Sequence, residues 1–131
     1  SGTWKKWDGV GFTGTGYDSA TDMGGKDVSI VGLRSVAGAN PSVMWNKYLQ
    51  KWIMVYASWS KILVMSFSED GITWSNPIEI IGKNFSEAAG YPNLISSSGD
   101  AEGAKIVHLY YASNQRSNGT RDLAHRVITY K

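Results

Sequence analysis

Apolar runs of strand length recur along this chain, and no window carries a convincing helical stripe. "QKWIMVYAS" (50–58) sets Trp52, Met54 and Tyr56 against Ile53 and Val55, apolar on both sides of the alternation, which predicts a strand buried on both faces. "PSVMW" (41–45) is a shorter apolar strand, and the polar "NKYLQ" between them has the length of a hairpin turn. "KILVMSFS" (61–68) predicts a third strand and "TWSNPIEII" (73–81) a fourth, interrupted by Pro77 as an edge strand can be. The pattern then restarts. "YPNLIS" (91–96) is short and apolar, "SSGDAEG" is a loop, "AKIVHLYYAS" (104–113) alternates in the manner of 50–58, "NQRSNGT" is a loop, and "RDLAHRVITYK" (121–131) closes the chain as a strand.

The restart is an internal repeat. Pro41 and Pro92 stand 51 residues apart (92 − 41), and the pairs Ala57-Ser58 and Ala112-Ser113 stand 55 apart (112 − 57). Each unit reads as a proline, a short apolar strand, a turn, a long strand ending in Ala-Ser, a loop and a third strand. A repeat of roughly 40–50 residues holding four strands is the signature of a propeller blade. The chain is therefore expected to be all-β, a single β domain over 1–131 built as about two four-stranded antiparallel blades, 41–81 and 91–131. The second unit has three strands, and the N-terminal segment 1–8, with Trp4 and Trp7, is expected to complete a blade. Residues 9–40 form a long glycine-rich loop with one short strand at "VSIVGL" (28–33), and long loops in compact domains are usually functional or mobile.

Composition narrows the functional classes. With 42% hydrophobic and 18% charged residues, the chain belongs with globular rather than disordered sequences. A net charge of +2 spread over scattered lysines and arginines argues against a nucleic-acid footprint. The absence of cysteine rules out disulfides and thiolate metal sites. No apolar run approaches a membrane span, and no apolar stretch follows Lys5 and Lys6 as a signal peptide would require. Six Trp and seven Tyr stand against three Phe; Trp and Tyr pair an apolar face with a polar tip, which suits half-wet sites, but most of them read as β-sheet core. No cofactor is implied, and His108 and His125, on different strands, do not read as a metal site; His108 reads as a core histidine.

Ser68-Glu69-Asp70-Gly71-Ile72-Thr73-Trp74 resembles the Asp-box of sialidases and related propeller glycosidases, Ser-x-Asp-x-Gly-x-Thr-Trp, shortened by the residue between Asp and Gly. In a tight turn the Asp carboxylate accepts backbone N–H bonds, glycine takes the positive φ, and Trp74 folds back on the turn. Ser68, Asp70, Gly71 and Trp74 are thus expected to be structural. More widely, "ANPSVMWNKYLQKWIMVYAS", the "SEDGITWSNP" segment and "YPNLI…LYYAS" resemble the five-bladed propeller glycoside hydrolases of the arabinan- and xylan-cleaving type, over residues 38–113. The resemblance implies a carbohydrate-active protein, part of or derived from such a hydrolase, active if a full propeller is assembled, and secreted or periplasmic. The alternatives are a non-catalytic carbohydrate-binding module and a structural fragment that self-associates.

In that family an inner strand begins with Asp-Pro, and its Asp is the general base. Here the position is Asn40, whose amide cannot be a base; either the blade is a non-catalytic one, the favoured reading, or the site is dead. Blade geometry puts 9–40, Ser58 to Ser60, Glu87 to Tyr91 and Asn114 to Thr120 on the pocket face, with the Asp-box turn opposite. Glu87 is then the candidate acid, with Asp18, Asp22 and Asp27 as possible partner carboxylates. Trp59 is a candidate stacking platform, and Asn40, Tyr91, Asn114, Gln115 and Arg116 are candidate sugar contacts. Two blades cannot close a ring, so a second copy of the chain or the remainder of a larger propeller is expected to cover the exposed edges and faces, or the two units to collapse into a sandwich.

Overall fold

A computed structural model describes residues 5–13, 29–30 (backbone path only), 38–58, 62–82, 90–99, 102–113 and 118–131. Nine strands occur among them: β1 (Ser29–Ile30), β2 (Gly38–Asn46), β3 (Lys51–Ser58), β4 (Leu63–Ser68), β5 (Thr73–Trp74), β6 (Ile78–Ile81), β7 (Gly90–Ser96), β8 (Ile106–Ser113) and β9 (Asp122–Thr129). None of the described residues is helical. Sheet one is antiparallel in the order β2-β3-β4-β6, and sheet two is antiparallel in the order β7-β8-β9. The short strands β1 and β5 pair in parallel, Ser29 with Thr73 and Ile30 with Trp74. Of the segment 1–8, residues 5–8 are described, and Lys6 makes an isolated bridge there; Trp4 lies outside the described residues.

The strand expected over 73–81 is divided. β5 joins β1, and the chain returns as β6 to the free edge of β4. The junction has a local cause. The Ser75 N–H donates to the Phe67 carbonyl at 2.8 Å, while the Phe67 N–H donates to Ser75 Oγ at 3.0 Å rather than to a backbone oxygen. Pro77 then offers no N–H to continue a ladder.

The sheets stack face to face, with β7 against β2 and β3. Met44, Ile53, Val55, Ala57, Leu63, Met65 and Ile81 of sheet one meet Leu94, Val107, Leu109 and Tyr111 of sheet two in one core. Met54, Tyr56, Ile62, Val64 and Trp74 form a second cluster on the other face of sheet one. Burial on both sides of β3 is the reason its sequence runs apolar without interruption. One end of the stack is clamped. Asn46 is fully buried, donates from Nδ2 to the Ala104 carbonyl at 2.8 Å and accepts the Leu49 N–H at 2.9 Å. The Gly103 N–H reaches the Trp45 carbonyl at 2.7 Å, and the Lys47 N–H reaches the Gly103 carbonyl at 2.8 Å.

The two sheets share one irregularity at corresponding repeat positions. Ala39 pairs with Ala57 and Ser42 with Val55, so Asn40 and Pro41 together oppose a single residue. Gly90 pairs with Ala112 and Asn93 with Tyr110, so Tyr91 and Pro92 do the same. Both bulges hold their pre-proline residue in the left-handed region, Asn40 at φ 55 and Tyr91 at φ 52. Shifting β3 by the 55-residue repeat maps Ile53, Val55 and Ala57, which face sheet two, onto His108, Tyr110 and Ala112. Those three lie on the opposite face of β8 from Val107, Leu109 and Tyr111, which pack on sheet one. The outward side of sheet two exposes Ile95, Ile106, Leu123 and Val127.

Candidate functional site

Strand register sorts the candidate residues between the two ends of the stack. Gly38, at the start of β2, pairs with Ser58 at the end of β3. Gly90, at the start of β7, pairs with Ala112, and Ser113 at the end of β8 pairs with Asp122 at the start of β9. The bridge between Asn46 and Gly103 joins the opposite ends of β2 and of the β7–β8 hairpin, so β2 and β7 start on the same side. Asn40, Ser58, Tyr91, Ser113, Arg121 and Asp122 therefore share one end.

At that end the bulges remove Asn40 and Tyr91 from the regular pleat and leave both exposed. Left-handed backbone is tolerated by asparagine, whereas a tyrosine there is a true outlier. Tyr91 is 63% exposed, and the Arg121 guanidinium lies 5.9 Å from its ring centroid, within cation–π range. Ser58 and Ser113, at equivalent repeat positions, are buried beneath. Gly38 is required by close approach: a Cβ there would lie 2.3 Å from the Ala57 carbonyl oxygen and 2.7 Å from Tyr56 Cδ2. The end thus offers an exposed aromatic ring, a guanidinium, an amide able to donate and accept, and the Asp122 carboxylate. Trp59, Glu87, Asn114, Gln115 and Arg116, as well as Asp18, Asp22 and Asp27, lie outside the described residues.

The Asp70 turn sits at the other end, beside Lys51, whose ammonium lies 3.3 Å from Glu69. Asp70 Oδ1 accepts the Thr73 N–H at 2.7 Å, the Ile72 N–H at 2.8 Å and the Ser68 hydroxyl at 2.9 Å. Those bonds, Thr73 first, hold its carboxyl down at about 2, so it stays ionised near neutral pH and has no proton to donate as an acid. Gly71 takes φ 75, its N–H donates to Ser68 Oγ at 2.8 Å, and Trp74 Nε1 donates back to its carbonyl at 3.2 Å. Lys51, Phe67, Ser68, Glu69, Asp70, Thr73 and Ser75 line a shallow cleft of about 470 Å³ at this end.

Sequence reasoning missed two relatives of that clasp. Asp8 Oδ1 accepts the Val10 and Gly11 N–H groups, each at 2.8 Å, and its Oδ2 accepts the Thr13 hydroxyl. Thr13 first, then the two N–H groups, hold this carboxyl down at about 2 as well. Asn118 Oδ1 accepts the Thr120 N–H at 3.0 Å and the Thr120 hydroxyl at 2.6 Å. The residue following each is a glycine at positive φ, Gly9 at 102 and Gly119 at 82. The Asp-Gly and Asn-Gly dipeptides are the signal that could have found them.

The histidines also need correction. Pairing of Tyr110 with His125 and of His108 with Val127 makes His108 and His125 diagonal neighbours on the outward face of sheet two. Their rings meet, His108 Nδ1 lying 2.8 Å from His125 Nε2, and His108 is not a core residue. Among the described residues no group of three or more His, Asp or Glu side chains is arranged to hold a metal. No protein-family model, curated protein or solved structure matches this chain.

Proposed function

We propose that the two sheets are successive blades of a propeller-type carbohydrate-active protein, part of or derived from a glycoside hydrolase, and that the end bearing Asn40 and Tyr91 receives a polysaccharide. The observation that carries this reading is the repeated pre-proline bulge, which turns one residue of each sheet's first strand out of the ladder at the same end. Backbone held in sparsely populated conformations clusters at ligand sites. An exposed tyrosine face suits the apolar face of a sugar ring, and the Asn40 amide and Arg121 guanidinium suit its hydroxyls. Among the described residues this chemistry is that of binding.

Hydrolysis needs a pair of carboxylates across the glycosidic bond, and this reading assigns the acid to Glu87, with its partner on Asp18, Asp22, Asp27 or a further blade. Turnover of arabinan, xylan and sialylated substrates tests it. Glu87→Gln is expected to abolish turnover while binding persists, and equal turnover in that variant contradicts the assignment.

A second reading, a structural unit that associates through its sheet faces, is favoured by a different observation. Sheet two's outward face is the repeat equivalent of the sheet-one face that packs on its neighbour, and it exposes Leu123 by 77% and Val127 by 56%. Leu123 and Val127 flank His125 on this face, and exposed apolar surface of this kind suits an interaction surface. The two readings are compatible, since a propeller pocket is completed by further blades.

A further inference from the structure

His108 and His125 sit on the outward face of sheet two in a setting without fixed charge. Register puts Ile95 and Val127 on either side of His108, and Tyr110 beside His125. From Asn93 on β7 to Thr129 on β9, the positions that share this face hold no lysine, arginine, aspartate or glutamate. Asp122 and Arg126 pair with Ser113 and Leu109, on the opposite face. Arg121 and Lys131 lie beyond the two ends of β9, Arg121 against the Tyr91 ring, and as cations they offer no counter-charge to an imidazolium. The titratable groups of the face are thus two imidazoles and the Tyr110 phenol, and imidazole is the one of these that changes charge in mild acid. We propose, on the reading that the chain associates through its sheet faces, that this face closes on the same face of a second copy of the chain, and that protonation of His108 and His125 opens the contact.

The occupant follows from the repeat. This face is equivalent to the sheet-one face that lies against sheet two, so a sheet is what fits it. The outer face of sheet one is not available to a second copy, because Met54, Tyr56, Val64 and Trp74 are already buried there within the chain. The sheet face left open among the described residues is that of sheet two itself, and a two-fold contact of like with like is the commonest oligomeric arrangement. A face without fixed charge meets its own copy with no like-charge opposition.

The gate follows from the ring contact. His108 Nδ1 lies 2.8 Å from His125 Nε2, which needs a hydrogen on one nitrogen and a lone pair on the other. Uncharged, the two nitrogens satisfy each other and can be covered by apolar surface. A first proton puts a cation on each side of a contact that holds no carboxylate. A second leaves two N–H groups facing each other with no acceptor. The Tyr110 ring, stacked on His125 at 4.7 Å, does not neutralise that charge. Covering an unpaired charge is unfavourable, so acid favours the separate chains.

Sedimentation equilibrium of the full chain at about pH 7.5 and about pH 5, near the two ends of the range in which imidazole charges, tests this. Both lie above the range from 3.8 to about 2 in which the Asp8 and Asp70 clasps open, so circular dichroism is expected to be the same at each. Wild type is expected to pair at the higher pH and to pair at least about tenfold more weakly at the lower, since each proton that must leave costs about tenfold per pH unit. His108→Gln with His125→Gln, where neither side chain titrates, is expected to stay paired at both. His125→Lys, charged throughout, is expected to be a single chain at both. A wild type that is a single chain at ~100 μM and the higher pH overturns the association itself, and the proposal with it. Equal pairing of wild type at both pH values overturns the gate and leaves the association standing. So does a double glutamine variant that keeps the wild-type pH dependence or loses the pairing, or a His125→Lys variant that pairs as wild type does.

Discussion

Two kinds of side chain hold their backbone in opposite ways at the scale of the residue. Asp70 and Asp8 relieve a positive-φ glycine turn by accepting its N–H groups. Tyr91 endures a positive φ of its own, with no short polar side chain to hydrogen-bond locally. The acids make a pH prediction. Each has a folded-state value of about 2, below the ordinary 3.8. A depressed carboxyl contributes stability that is fully present above its unfolded value and is lost as pH falls through its folded one. The clasps therefore lose their effect in acid between 3.8 and about 2, and remain intact through the neutral range. A carboxyl-detected NMR titration is expected to give midpoints near 2 for both, and midpoints near 3.8 contradict the clasp. The Asp70 clasp was legible because its bonds are local and its residue types have few other uses in that order. The left-handed Tyr91 was not, because nothing in a tyrosine announces φ 52 and a following proline ordinarily favours extended backbone.

Elements are clamped at the end opposite the proposed site. Gly103 crosses beneath Trp45 and Lys47, where a Cβ would lie 2.8 Å from Asn46 Nδ2 and 2.9 Å from Met44 Sδ. Gly103→Ala forces two buried side chains aside and is expected to cost about 1–3 kcal/mol in chemical denaturation. Asn46→Ala strips partners from the Leu49 N–H and the Ala104 carbonyl, at about 1–3 kcal/mol for each group left buried and unpaired. Values within experimental error of wild type for both contradict the clamp.

The strands were legible from alternation, and the Pro77 interruption from proline's missing donor. The contact of His108 with His125 was not, because it depends on the register of β8 with β9 across a loop whose length in sequence fixes no turn type. A slip of one residue would have put His125 on the other face. The parallel pairing of β1 with β5 was equally hidden, since it joins segments far apart in sequence and each is two residues long.

At the scale of the molecule, the described residues form two antiparallel sheets stacked on each other beside the short parallel pair β1–β5, and the all-β class follows from the strand pattern of the sequence. Among the described residues the outward face of sheet two exposes Ile95, Ile106, Leu123 and Val127. Association through that face is expected to raise the mass seen by light scattering above that of one chain at ~100 μM, a concentration at which modest interfaces populate. Leu123→Lys with Val127→Lys is expected to return it to a monomer, and a wild-type monomer throughout that range contradicts the stacking reading. On the proposed function, the left-handed backbone at Asn40 and Tyr91 is strain retained for a ligand.

Affinity electrophoresis and calorimetry of wild type and Tyr91→Gly against arabinan and xylan, with melting temperatures in parallel, test that account most directly. Glycine accepts positive φ without the left-handed penalty of about 1–2 kcal/mol that a side chain incurs, so Tyr91→Gly is expected to melt no lower than wild type while losing polysaccharide binding. Absence of binding by the wild type to either polysaccharide, or equal binding by a well-folded Tyr91→Gly, would contradict it.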